Sequence, residues 1–259
     1  MRLFLIALLA VSSSALVVRD PLVRPDLTPE VYQRLDLYQQ QARDYFSFLT
    51  RDSKPRLELL IGLPGSGKSQ FTIQAARAGF AVISVDEIRV QELTTLNRTR
   101  QYVRLPSGRY VRPHPRDPVA LFSNGMLSNP YFLGLRRLLD ILKTNQSVVY
   151  DATNLDSSRF RLIEGARWFG YSVGAVVFQS SDHGIKVHSH NIQYRISKGG
   201  LDLVATGPQQ VQRRETLLMG LKEIMDIYRP EHENFDDIEY AEVLDWWPLL
   251  ITGPLPVPV

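Results

Sequence analysis

Short, nearly unbroken apolar runs alternate with amphipathic stretches from residue 56 onward, and this alternation organises most of the chain. Leu57 to Ile61 runs into a glycine-rich segment; Ala81 to Val85, Ser147 to Tyr150 and Ser172 to Phe178 are further runs of strand length. Their near-continuous apolar character predicts strands buried on both faces. Helices are predicted between them. Ser69 to Ala78 follows the glycines, Asn129-Pro130 starts a helix towards Lys143, and Asp156-Ser157 caps one that ends near Gly170. Gly207-Pro208 opens a last helix through about Tyr228, and Ile238 to Val243 supplies a last strand. Strand and helix in alternation predict an α/β fold, a parallel sheet with helices on both faces.

The pattern divides the chain into four stretches. Residues 56–245 form the α/β domain, and residues 21–55 form an N-terminal helical extension. Within the extension Thr28-Pro29-Glu30 reads as an N-cap with proline at the first helical position. Leu35, Leu37, Tyr38, Tyr45, Phe46, Phe48 and Leu49 then predict a helix covering one side of the domain. Residues 246–259 are an apolar, proline-rich tail. Residues 1–20 place Arg2 before the apolar run Leu3 to Val11 and the small residues Ser12 to Ala15, the order of a targeting signal with Ala15 as a cleavage point. That run is shorter than the roughly 20 apolar residues a membrane span needs, so no stable span is expected once the signal is removed. An N-terminal helix packed on the domain, or a start codon placed too early, is the alternative. Secretory or organelle targeting is the expectation from the signal; an ATP-containing compartment is the expectation from the chemistry below.

Composition narrows the chemistry. With 44% hydrophobic and 22% charged residues the chain can build a sizeable core. It has no cysteine, which excludes disulfides, thiolate catalysis and cysteine metal sites.

Gly62-Leu63-Pro64-Gly65-Ser66-Gly67-Lys68-Ser69 lies between a predicted strand and a predicted helix, the setting of a phosphate-binding loop. Glycines let the backbone curl around phosphates, and the helix N-terminus favours negative charge. Gly62, Pro64, Gly65, Ser66, Gly67, Lys68 and Ser69 are the candidate nucleotide contacts. Lys68 is expected to reach the β- and γ-phosphates of ATP, and the Ser69 hydroxyl to ligate Mg2+. Such a loop names the nucleotide and leaves the reaction open.

Three further groups bear on the reaction. Ser84-Val85-Asp86-Glu87-Ile88-Arg89 follows the second strand at the sheet edge where ligands bind. Asp86 suits a general base, and Arg89, one helical turn on, suits an acceptor phosphate. A plain helix start with a surface ion pair is the alternative. Asp151-Ala152-Thr153-Asn154 ends the third strand. Asp151 suits the magnesium shell and Thr153 and Asn154 suit the acceptor; a cap on the next helix is the alternative. His188, His190, Asn191, Arg195 and Lys198 precede Gly199-Gly200 and read as a basic helical lid, with Arg195 supplying charge to the transferring phosphate. A solvated basic helix is the alternative.

Together these boxes resemble the bacteriophage-type polynucleotide 5′-kinases, within the small P-loop kinases. The resemblance rests on the glycine loop, on Ser84, Asp86 and Arg89, on Asp151, Thr153 and Asn154, and on Asn191 and Arg195, spanning residues 57–243 with a closing segment Pro230 to Ile238. It implies that Asp86 is the general base, that Arg89 grips the acceptor phosphate, and that Arg195 contacts the donor phosphates. His190 stands where that family has arginine, Asn191 and Arg195 are four apart instead of three, and Asn234 replaces a usual glycine. No phosphatase domain accompanies the kinase boxes. The kinase chemistry is intact, and the acceptor stays open.

Residues 98–116 carry Arg98, Arg100, Arg104, Arg109, Arg112 and Arg116 and no acidic residue. Gln101 to Leu105 and Arg109 to Arg112 read as a β-hairpin joined by Pro106-Ser107-Gly108. Tyr102 and Tyr110 lie among the arginines. Arginine for backbone phosphates and aromatics for stacked bases point to single-stranded nucleic acid as the acceptor; a solvated basic hairpin docking on the chain's own acidic surface is the alternative. The other readings are a kinase of a hydroxylated base, nucleoside or nucleotide sugar, and an ATP-binding module that transfers nothing.

Overall fold

The structure, a computed structural model, describes residues 29–88, 91, 103–104, 110–111, 130–179, 185–197 and 210–243. The signal-like segment and the tail expected above lie outside these. Five parallel strands form one sheet: β1 (Arg56–Ile61), β2 (Ala81–Ser84), β5 (Val148–Asp151), β6 (Ser172–Phe178) and β7 (Asp237–Ala241), in the order β2-β5-β1-β6-β7. Every residue of β1 and β6 is buried, as their apolar runs predict. A separate antiparallel pair, β3 (Val103–Arg104) and β4 (Tyr110–Val111), forms the expected hairpin after β2.

Connection direction decides which face each helix covers. From β1 the chain passes over β5 to reach β2, while every later crossover runs the opposite way across the sheet. Right-handed crossovers therefore put α2 (Lys68–Arg77) on one face. The other face takes α3 (Pro130–Leu142), α4 (Ser158–Trp168), α5 (Ile185–Ser197) and α6 (Gln210–Ile227). The period of two sorts the strand residues accordingly. Leu57, Leu59, Ile61, Val148, Tyr150, Val173, Ala175 and Val177 pack with Leu138, Leu162, Ile163, Ile192 and Leu218 on the α3–α6 face. Leu60, Val149, Val176 and Phe178 pack with Phe71 and Ala75 of α2 on the other.

The α2 face is closed by α1 (Pro29–Leu49), the N-terminal extension. Leu35, Tyr38, Ala42, Phe46 and Leu49 recur every three or four residues and are all buried there. Phe71 meets Tyr38 and Phe178 edge-on, with ring centroids 5.1 Å apart in each pair. Exposed Leu37 and Phe48, counted with the apolar positions in the sequence, point to solvent instead.

The run Leu57 to Ile61 also hides a carboxylate. Glu58 is fully buried beneath α1, accepting from Arg56 Nε (2.8 Å) and Tyr45 Oη (2.9 Å), and Arg56 pairs in turn with Asp237. Burial pushes the Glu58 carboxyl up to about 7, against the pull of Arg56. A Cβ at Gly174 would come within 2.5 Å of Glu58 Oε2 and closer still to Asp237 Oδ1, so a larger residue there would displace both carboxylates. On the other face Arg159 of α4 grips Glu233, and Arg167 donates to the Asn234 carbonyl (2.5 Å) and to Asp236 (3.1 Å). These bonds strap the closing segment to α4 and set the start of β7.

Candidate active site

The phosphate loop leaves the carboxyl end of β1, in the middle of the sheet. β1 and its neighbour β5 send their connections in opposite directions, which makes the edge between them a topological switch point where ligands bind. Local chemistry explains the loop's shape. At Gly62 a Cβ would come within 2.8 Å of the Phe178 Cβ, so only glycine lets the chain pass β6. Gly65 and Gly67 adopt φ of 79° and 100°, the left-handed region that side chains disfavour. Gly67 then leads into α2, where no side chain caps the helix and no acidic residue occupies the first turn. Uncapped N–H groups and the helix dipole make this end of α2 suited to an anion.

Lys68 is buried, and its ammonium donates to the carbonyls of Gly62 and Leu63 at 2.8 Å each and to Ser66 Oγ at 3.4 Å. A buried cation inside a glycine cradle fits a triphosphate. Ser69 is exposed beside it at the start of α2.

Register aligns the acceptor side with the loop. Asp151 is level with Leu60 on one side and with Ser84 on the other. Two residues beyond those positions stand Gly62 and Asp86, so the three strand ends bring Asp86, Asp151 and the loop to one edge. The Thr153 carbonyl accepts from the Gly62 N–H (3.1 Å), joining the two loops directly. Ser84 Oγ accepts from the Glu87 N–H (3.4 Å), capping the turn that carries the half-buried Asp86. Burial, with the Asp86 charge adding to it, raises the neighbouring Glu87 carboxyl, and Arg137 opposes the shift.

Asn154 differs from its expected place. It is buried with a φ of 51°, and its Nδ2 donates to the carbonyls of Leu60 (2.8 Å) and Tyr150 (3.3 Å). These bonds hold the ends of β1 and β5 together, which leaves Thr153 and Asp151 as the members of that box at the edge. Among the described residues no three His, Asp or Glu side chains converge as a metal cage. Ser69 and Asp151 are the kind of sparse donor set magnesium uses when substrate phosphates and water complete its shell.

On the lid helix α5, His188 departs from the basic character expected of it. His188 is buried, and burial first and Lys68 second push its imidazole down to about 4, against the bond to Pro64. The ring is neutral at physiological pH and supplies no positive charge. Burial lowers His190 too. Instead, α5 is seated on the phosphate loop: His188 Nδ1 lies 3.2 Å from the Pro64 carbonyl, and Asn191 Nδ2 donates to the Gly65 carbonyl (2.8 Å). The signal was present in sequence as the spacing of three between His188 and Asn191, which shares one helix face. Arg89, Tyr102 and Arg109 lie outside the described residues, as do Arg98, Arg100, Arg112, Arg116 and Lys198. The side chains of Arg104, Tyr110 and Arg195 are likewise outside the description.

A family model described as an AAA domain matches residues 57–195. A search of curated protein sequences returned no match. Among solved structures, the chain is similar to a putative kinase from Chloroflexus aurantiacus J-10-fl, at 15% identity and a TM-score of 0.48, over 74% of this chain and 87% of that one. It is similar to a gluconokinase from Sinorhizobium meliloti 1021 at 17% identity and a TM-score of 0.41, over 79% and 87%. It is also similar to a structure of the PezAT chromosomal toxin-antitoxin system of Streptococcus pneumoniae at 14% identity and a TM-score of 0.45, over 84% and 78%. These likenesses carry no argument about the acceptor.

Proposed function

The chain belongs to the AAA domain family matched by its residues 57–195, a P-loop kinase-like group, and we propose that this member transfers the γ-phosphate of ATP to the 5′-hydroxyl of a polynucleotide. The observation that carries the phosphotransfer reading is the meeting of Lys68, Asp86 and Asp151 at one sheet edge, with Asp151 level with Leu60 and Ser84. When bound, ATP with magnesium supplies the phosphoryl group. The N-terminus of α2 and Lys68 bind the phosphates and neutralise charge as transfer proceeds. Ser69 and Asp151 would hold the magnesium ion. Asp86 takes the proton from the attacking hydroxyl, and Arg195 is the candidate for further charge on the donor.

Support for a polynucleotide comes from the hairpin that follows the Asp86 turn. Its ladder pairs Arg104 with Tyr110, inside a stretch holding six arginines and no acid. Arg89 is the proposed grip on the acceptor phosphate next to that hydroxyl, the one on the 3′ side of the terminal nucleoside.

Salt dependence tests the acceptor. Each phosphate contacted on a single strand is expected to add about −0.7 to the slope of log affinity against log salt. Replacing Arg104 and Arg109 with alanine should flatten that slope and leave transfer to a minimal acceptor, a nucleoside 3′-phosphate, nearly unchanged. Tyr102→Ala or Tyr110→Ala should cost roughly 1–3 kcal/mol of binding with little change in slope. A wild-type protein that binds no oligonucleotide at low salt, yet phosphorylates a nucleoside or nucleotide sugar, would overturn the polynucleotide reading and leave the phosphotransferase standing.

A further inference from the structure

The joint between α5 and the phosphate loop is more closely built than a passive contact. Its hydrogen bonds fix the protonation of His188. The Pro64 carbonyl can only accept, so the 3.2 Å contact requires a proton on Nδ1. A second proton would bury a cation near Lys68, whose charge, with burial, already disfavours it. Nε2 is therefore bare; it is buried and has no hydrogen-bond partner among the described residues. The imidazole thus acts as a single, fixed donor aimed at the loop.

The loop is shaped to receive this helix. A Cβ at Gly65 would come within 2.7 Å of the His188 carbonyl oxygen and 3.2 Å of Ile192 Cγ1. Any larger residue at 65 would unseat α5, so the glycine answers to the lid as well as to its φ of 79°. Peptide geometry carries the effect across the loop. All peptide bonds described are trans, so a carbonyl held towards α5 turns the next N–H away from it. His188 at Pro64 thereby orients the Gly65 N–H, while the Ser66 N–H, beside the Gly65 carbonyl that Asn191 holds, donates to the Leu63 carbonyl (3.3 Å) and closes the turn.

We propose that His188 and Asn191 are positioning residues that latch the lid helix to the phosphate loop and set the loop's backbone conformation for nucleotide. The inference rests on the kinase reading above for its functional meaning, and on the two hydrogen bonds for its structural content. Neither residue touches the reacting atoms; both act through the loop backbone.

Two readouts on the full chain test it. Amide hydrogen exchange without nucleotide compares residues 63–67 with residues 148–151 of β5. Titration with MgATP gives the dissociation constant. His188→Leu keeps bulk and removes the donor. It should speed exchange at 63–67 by about fivefold to tenfold and weaken MgATP by a similar factor, with β5 unchanged, the scale of one buried hydrogen bond. His188→Asn, whose amide can donate to the same carbonyl, should restore both to within about threefold of wild type. Asn191→Ala should behave as His188→Leu does, and it decides the matter if the leucine variant fails to fold. Unchanged exchange at 63–67, or a parallel rise in β5, would overturn the latch, as would an asparagine variant no better than leucine. A wild type that fails to bind MgATP would instead defeat the kinase reading, with the exchange arm still deciding the latch.

Discussion

Replacing Lys68 with alanine is expected to reduce phosphate transfer to below about one-thousandth of the wild-type rate, on any acceptor the wild type uses. The ammonium is buried within the loop, and the Gly62 and Leu63 carbonyls and Ser66 Oγ are among its partners. Its positive charge lies at the loop that would hold the donor phosphates, where negative charge redistributes during transfer. Removing one preorganised electrostatic contact of this kind costs about a hundredfold to a thousandfold, and a full positive charge stands at the upper end. Two buried carbonyls would also lose a donor, at roughly 1–3 kcal/mol. Activity should therefore be compared below the variant's own melting transition. Near-normal transfer by a folded Lys68→Ala protein would mean the loop is not the phosphate site.

Asp86→Asn should lower turnover by about a hundredfold or more while MgATP affinity stays close to wild type. The substitution keeps the shape of the side chain on the Ser84-capped turn and removes its capacity to take a proton. General-base catalysis contributes about a hundredfold to ten-thousandfold, and a group acting only in the transition state changes turnover without changing nucleotide binding. The pair of constants, measured together, separates the two carboxylates of the edge. An equal loss of MgATP affinity would assign Asp86 to the metal, the role proposed for Asp151.

Local signals in the sequence were enough for most of the architecture. The strands β1, β2, β5 and β6 stand out because a parallel sheet covered on both faces leaves no polar alternation. The hairpin was marked by its turn residues, and α1 by its N-cap and its apolar period. The place of Asp86 and Asp151 at the sheet edge was legible because each follows a strand, and parallel strands end at one edge.

What the sequence did not reveal depends on which distant segment lies opposite. His188 reads as a charge until the folded chain encloses it against the loop, and its neutrality follows from burial and from Lys68. Asn154 has the composition of a substrate contact, yet the strand ends it joins, β1 and β5, are far apart in sequence. Glu58 sits unmarked in an apolar run because its partners, Tyr45 and Arg56, come from the extension and from the strand's own first residue. The closing segment was recognised by its resemblance to that of the polynucleotide kinases, whereas its strapping to Arg159 and Arg167 of α4 is a property of the folded chain.

The central claim is phosphate transfer from ATP to a hydroxyl at this edge, and the most direct measurement follows the label from γ-labelled ATP. The wild type would be incubated with magnesium and, in parallel, with a 5′-hydroxyl oligonucleotide, nucleosides and nucleotide sugars. The expected result is label covalently attached to a hydroxyl acceptor, foremost the 5′ end of the oligonucleotide, lost on chelation of magnesium and absent with Lys68→Ala. Label released only as inorganic phosphate, or retained in ATP with every acceptor, would contradict the account.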